Sequence, residues 1–289
     1  MSAISTTEQF GKSRLLPLDL LRGFAALAVA LGHYSSYGTF RVQGPFGICV
    51  PFFFILSGYV LTHAYGDEMR TRKLSFGVFT ILRLARLYPL HIVTAVVVII
   101  FWLAVDILKR FGGLSFSTDL GVDIGFIQIV ETLTLTQYLI DDSASINGPA
   151  WSISVEFWCS FLIFFLCQSG WGWAKAAVAG VAVLLFLAVE TSGGFLGGTD
   201  RLAHGVIDKN YATGIACFVL GWALRRHVAA YRPLVERMPA SVWWVFAALV
   251  LAAIFLPALG DSVNKGVEIV YYAAFALLIA GIANVPVKN

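Results

Sequence analysis

Charge is scarce in this sequence. Charged residues make up 13% of its 289 positions, against about 25% in a typical soluble domain. With 58% hydrophobic residues and a mean hydropathy of +0.80, too few polar side chains remain to cover a soluble globule. The same figures exclude a disordered chain, which requires low hydrophobicity. A basic face is lacking as well. The net charge of +3 is modest, and Lys and Arg fall in short clusters between apolar runs, which argues against nucleic acid as a partner. Cysteine is rare. Cys49, Cys159, Cys167 and Cys217 all lie inside apolar runs, without metal-ligand spacing or a disulfide framework. They read as small buried hydrophobes, and no metal site is expected. No small-residue cleavage site follows the first apolar stretch, so no signal peptide is expected. Internal repeats and polar interdomain linkers are also missing.

What is present is a series of long apolar runs. A membrane-spanning helix needs roughly 20 mostly apolar residues, and eight segments qualify or nearly do: 18–37, 46–65, 88–108, 151–167, 173–189, 211–224, 242–257 and 267–285. The expected fold is therefore an all-α polytopic membrane protein with about eight transmembrane helices plus interfacial amphipathic helices. With the N-terminus in the cytoplasm, alternating loops place 14 Lys and Arg on the cytoplasmic side and 6 on the other, out of 20. That is the expected positive-inside bias. Residues 74–87, apolar but carrying Arg83 and Arg86, read as a basic interfacial helix on the cytoplasmic face. Residues 120–139 read as a segment on the outer face, and 191–199, with four glycines, as a flexible outer loop.

Ionisable residues inside spans are expensive and informative. Arg22 and His33 are eleven steps apart, about three turns, so they share one face and are separated by about 16 Å along the axis. Asp19 lies one turn before Arg22 and can pair with it. Arg22 alone reads equally well as a snorkelling anchor. His33 reads as a proton acceptor, because imidazole titrates near neutrality, or else as a packing hydrogen bond. Ser57-Gly58 interrupts a wall of Phe and Ile, where helix packing is the simpler role. Arg83 and Arg86 are helical neighbours, suited to phosphate groups or to anionic lipid headgroups. Asn147-Gly148-Pro149 forms a turn before a helix. Glu156, inside that helix, is expected in the outer half at the depth of His33, where it would serve as the imidazole's partner or enter another salt link. His63, His204 and His227 read as solvated or interfacial, and His91 is ambiguous.

Together these segments resemble the membrane acyltransferase 3 family, which includes O-antigen and exopolysaccharide O-acetyltransferases. The matching patterns are Arg-x10-His at Arg22 and His33, Phe-Phe-x-x-Ser-Gly at Phe53–Gly58, Arg-x-x-Arg-Leu-x-Pro at Arg83–Pro89, and Asn-x-x-x-Trp-Ser-x-x-x-Glu at Asn147–Glu156. They cover about the first half of the chain. The resemblance implies one membrane-embedded domain over residues 1–289, without the family's last spans. It implies transfer of an acyl group, acetyl from acetyl-CoA, to a sugar or glycan hydroxyl at the bacterial inner membrane. Such O-acetylation modifies cell-envelope polysaccharide. No permanently bound cofactor is implied, since acetyl-CoA is a substrate. The site would consist of His33, Glu156 and Arg22 as catalytic residues. Arg22, Arg83, Arg86 and Ser57 would hold the acyl-CoA, and Asn147, Trp151 and Ser152 would shape the acceptor mouth. Two other classes stay open: a proton-coupled secondary transporter using His33 and Glu156 as a relay, and a non-catalytic scaffold in an envelope polysaccharide complex.

Overall fold

Leu18, Leu21, Ala25 and Ala28 recur at helical spacing, and they form the buried stripe of the first helix. The computed structural model describes residues 15–37, 44–111, 125–139, 146–196, 201–202, 207–255 and 265–284. Among these the α-helices are α1 (Leu16–Tyr37), α2 (Cys49–Arg70), α3 (Phe76–Phe111), α4 (Phe126–Thr134), α5 (Trp151–Gln168) and α6 (Gly172–Thr191). They continue with α7 (Lys209–Arg226), α8 (Val228–Val235), α9 (Ala240–Phe255) and α10 (Lys265–Ile282). One two-stranded antiparallel ribbon, β1 (Arg201–Leu202) with β2 (Ile207–Asp208), precedes α7, with Arg201 opposite Asp208. The fold is all-α, as composition and periodicity require.

Five described helical segments are long and apolar enough to cross a membrane: Leu16–Ser35, Phe46–Arg70, Phe76–Phe111, Gly148–Gln168 and Gly172–Thr191. A sixth arises if α8 and α9, bent by 101° at their break, form one broken span. The other two segments counted from the sequence are helical too. One lies in α7, which carries Lys209, Arg225 and Arg226, and the other in the shorter apolar helix Val267–Ile282.

The chain divides into two compact units. The first comprises Met1–Lys73 and Cys159–Asn289, and the second Leu74–Trp158. In the first, α2 and α7 cross at backbone distance. Gly58 lies against the Phe218 carbonyl and Gly221 against the Ile55 carbonyl, so closely that a Cβ on either would overlap backbone. The Ser57-Gly58 break is thus a helix crossing, the usual use of small residues in membranes. Phe54 and Phe218 fill the flanks, with ring centroids 6.0 Å apart. Asp208 caps α7 by accepting from the backbone N–H groups of Asn210 and Tyr211. The Ser192–Leu196 turn is tied down at several points. Glu268, on α10, accepts from the N–H groups of Phe195 and Leu196 at 2.8 and 3.0 Å, and the buried Lys209 ammonium donates to the Ser192 carbonyl. Gly193 and Gly194 adopt φ of 113° and 78° there. The sequence predicted a flexible loop over 191–199, but its described part is held by these bonds; 197–199 lie outside the described residues. All four cysteines are buried, and none forms a disulfide.

In the second unit, α3 is one continuous helix of 36 residues with Pro89 inside it. The expected interfacial helix over 74–87 is therefore not separate from the span. At 1.5 Å per residue α3 is about 54 Å long, well beyond the roughly 30 Å hydrocarbon core. Helix α4 inverts the usual surface pattern. Gln128, Glu131 and Thr132 are buried, while Phe126, Ile127, Ile129 and Leu133 are exposed. An outer-face segment would turn its polar side to water; this one turns it inward, as helices surrounded by lipid do. Residues 120–124 of that expected segment lie outside the described ones.

Candidate functional site

The sequence-derived site residues fall into two groups, one in each unit. On α1, Arg22 Nη1 donates to Asp19 Oδ1 at 3.0 Å, the expected pair one turn apart. His33 lies three turns further on, exposed, on the flank of the buried stripe. It makes no hydrogen bond with any described residue, so its imidazole is not committed to packing. Ser57 is half-buried on α2 beside the Gly58 crossing.

In the second unit, α3, α4 and α5 gather a polar network inside apolar helices. Arg83 Nη2 donates to Glu156 Oε1 at 2.7 Å, with side chains 4% and 25% exposed. A second contact lies further along: Asn147 Nδ2 donates to Thr94 Oγ1 at 3.3 Å. The residue order in these two contacts makes α3 and α5 antiparallel. Two expectations change here. Arg83 is buried and paired rather than presented at the membrane surface, whereas Arg86 is exposed. Glu156 gives Oε1 to Arg83, the other salt link that the sequence left open beside a partnership with His33. The sequence placed Arg83 at the inner surface and Glu156 in the outer half, depths that a 2.7 Å contact cannot reconcile. Counting from an apparent helix start does not fix depth when one helix is twice the length of its neighbour.

Sequence reasoning left out several members of this network. His91 is fully buried, and its Nε2 lies 2.8 Å from the Thr132 carbonyl. A carbonyl only accepts, so Nε2 carries the proton, and Nδ1 is a buried acceptor with no partner among the described residues. Tyr88 donates to the Leu133 carbonyl at 2.8 Å. Ser154 and the Trp158 indole both donate to the carbonyl of Leu135, which ends α4 in the left-handed region at φ 56°. Glu131 and Gln137 are buried nearby in the chain. One sequence signal pointed to α4: Gln128, Glu131 and Thr132 share one helical face of an otherwise apolar segment. Of the expected acceptor residues, Asn147 holds Thr94, Ser152 donates to the Pro149 carbonyl at 3.1 Å, and Trp151 is half-buried on the first turn of α5. Among the described residues no group of three or more His, Cys, Asp or Glu could hold a metal ion.

The arrangement offers an uncommitted imidazole on α1, an arginine-held carboxylate, and a buried ring acceptor, all on apolar helices. The chain matches the acyltransferase 3 family, described as an acyltransferase domain, over residues 16–287. It belongs to that family. It is an acyltransferase and an integral membrane protein, as its apolar helices require. Among curated relatives, it is 30% identical over 184 residues to "Protein 2 in picA locus" of Rhizobium radiobacter, a match over 60% of this chain and 89% of that protein. It is 35% identical over 159 residues to "Acyltransferase MdmB" of Streptomyces mycarofaciens, over 50% of this chain and 37% of that protein. No solved structure matches. Family membership favours acyl transfer over the carrier reading.

Proposed function

We propose that this acyltransferase moves acetyl from cytoplasmic acetyl-CoA to a hydroxyl of a sugar or glycan acceptor at the bacterial inner membrane, with its N-terminus in the cytoplasm. The observation that carries this reading is the placement of Arg22 and His33 on one face of α1, with His33 making no hydrogen bond to any described residue, in a chain of this family. His33 takes the proton of the acceptor hydroxyl as its oxygen attacks the thioester carbonyl. The carbon–sulfur bond breaks, and the imidazolium returns the proton to the departing thiolate. Arg22 and Arg86 provide forked cations for the donor's phosphates. Arg83 acts by fixing the Glu156 carboxylate, which orients the polar interior of α3 and α5. Ser57 lines the donor path beside the α2–α7 crossing, and Asn147, Trp151 and Ser152 shape the acceptor mouth.

The test is transfer of label from radiolabelled acetyl-CoA in membranes holding the wild type or His33→Ala. Loss of a general base lowers transfer by about 10²- to 10⁴-fold. Because His33 is exposed and makes no hydrogen bond to a described residue, the variant keeps its fold and its membrane level. Full transfer by His33→Ala refutes the assignment, and label on no sugar-containing product refutes the acceptor class.

A further inference from the structure

Helices α2, α5 and α7 end together in the first unit, around a cavity of about 200 Å³. Its lining includes Thr62, Asp67, Arg70, Trp222, Arg225 and Arg226. Three guanidinium groups converge on one small opening, and two of them have no carboxylate within ion-pair distance among the described residues. Arg225 is oriented by a neutral partner, its Nε donating to His63 Nδ1 at 3.1 Å. An imidazole nitrogen that accepts carries no proton of its own, so this contact leaves the arginine charge uncompensated. Arg226 lies over the Trp222 ring, 5.6 Å from its centroid, a contact that positions the fork and again leaves its charge in place. Arg70 meets Asp67 at 3.6 Å, with side chains 66% and 58% exposed. That is a loose surface pair of the kind worth little.

Among the residues that line the cavity, one carries a carboxylate. Asp67 contributes one negative charge, and three helix C-termini contribute about half a charge each. Three arginines exceed that total, and Lys175 on α6 adds a cation within electrostatic reach of Arg226. Three forks around a small polar cavity, two of them without a carboxylate partner among the described residues, suit a phosphoryl group, which guanidinium binds in bidentate fashion. The cavity is smaller than the roughly 300–1,000 Å³ that holds a whole drug-sized ligand, so it fits a charged head and not an entire nucleotide.

We propose that Arg70, Arg225 and Arg226, with Trp222 beneath, form a binding subsite for a phosphate or diphosphate ester. These residues are distinct from Arg22, Arg83 and Arg86. The ester belongs either to a soluble nucleotide-type molecule or to an anionic lipid headgroup. The subsite does not rest on the acyl-transfer reading, since phosphate binding is measured without turnover.

The test uses the full chain in nanodiscs. One arm measures equilibrium binding of radiolabelled adenosine 3′,5′-bisphosphate in phosphatidylcholine discs. The other measures retention of phosphatidylglycerol by native mass spectrometry. Arg225→Gln and Arg226→Gln each weaken one of these by about tenfold, the scale of losing a charge-assisted bond. Arg70→Gln, at an exposed side chain whose loss leaves the fold intact, weakens the same one. Arg237→Gln, exposed and outside the cavity, changes neither. A response of the bisphosphate alone assigns a soluble phosphate ester, and a response of the lipid alone assigns a headgroup. Wild-type protein that binds neither probe, or variants that bind both as the wild type does, overturn the proposal.

Discussion

Breaking the Arg83–Glu156 pair gives the sharpest test of how the second unit is held together. The two side chains are unequally buried, 4% exposed for Arg83 and 25% for Glu156, so the two single substitutions differ in cost. Glu156→Leu strands a guanidinium with almost no access to solvent, and its Nε already lacks a partner among the described residues. Removing one partner of a fully buried pair costs about 3–5 kcal/mol, and Glu156→Leu falls near the lower end, at about 3 kcal/mol. Arg83→Leu strands a carboxylate that keeps a quarter of its surface. The cost there is closer to that of a lost charged hydrogen bond, about 2 kcal/mol. The double variant removes both charges together and costs less than the sum of the singles, with a coupling of about 1–3 kcal/mol. The assay is reversible unfolding in mixed detergent micelles, comparing wild type, both singles and the double. Additive costs, with coupling below about 0.5 kcal/mol, refute the claim that this pair is an energetic unit. A larger cost for Arg83→Leu than for Glu156→Leu refutes the argument from unequal burial.

Gly58→Ala and Gly221→Ala each drive a Cβ into a backbone carbonyl across the α2–α7 crossing, and each destabilises by about 1–3 kcal/mol, the scale of overpacking, read in the same unfolding assay. Gly23→Ala, inside α1 where a Cβ meets nothing within 4 Å, is the control that destabilises nothing and gains up to about 1 kcal/mol of helix propensity. Glu268→Gln replaces a carboxylate that accepts two backbone N–H groups at Phe195 and Leu196 with an amide whose single oxygen serves only one. Hydrogen exchange at those two amides rises, at a cost of about 1–2 kcal/mol, while exchange in α3 is unchanged.

Much of this protein is written along the chain. Low charge and repeated apolar runs dictate helices in a membrane, because a lipid interior leaves the backbone no other way to satisfy its polar groups. The eleven-step spacing of Arg22 and His33 fixes their shared face, since helical geometry is local. The motif patterns identify the family for the same reason: they are short and linear. Where a pair is separated by 73 positions, local rules give no answer. Arg83 carries the same sequence cues as an exposed interfacial arginine, and only the approach of α5 makes it a buried counter-ion. His91 looks like any histidine near a proline until the Thr132 carbonyl meets its Nε2. Arg70 is far from the adjacent Arg225 and Arg226 in the sequence, and the three become one cavity lining only because α2 and α7 cross where two glycines let the backbones touch. The sequence determined the solvent, the elements and the family. The tertiary structure decided the partners, because hydrogen bonds and ion pairs depend on distances that packing alone sets.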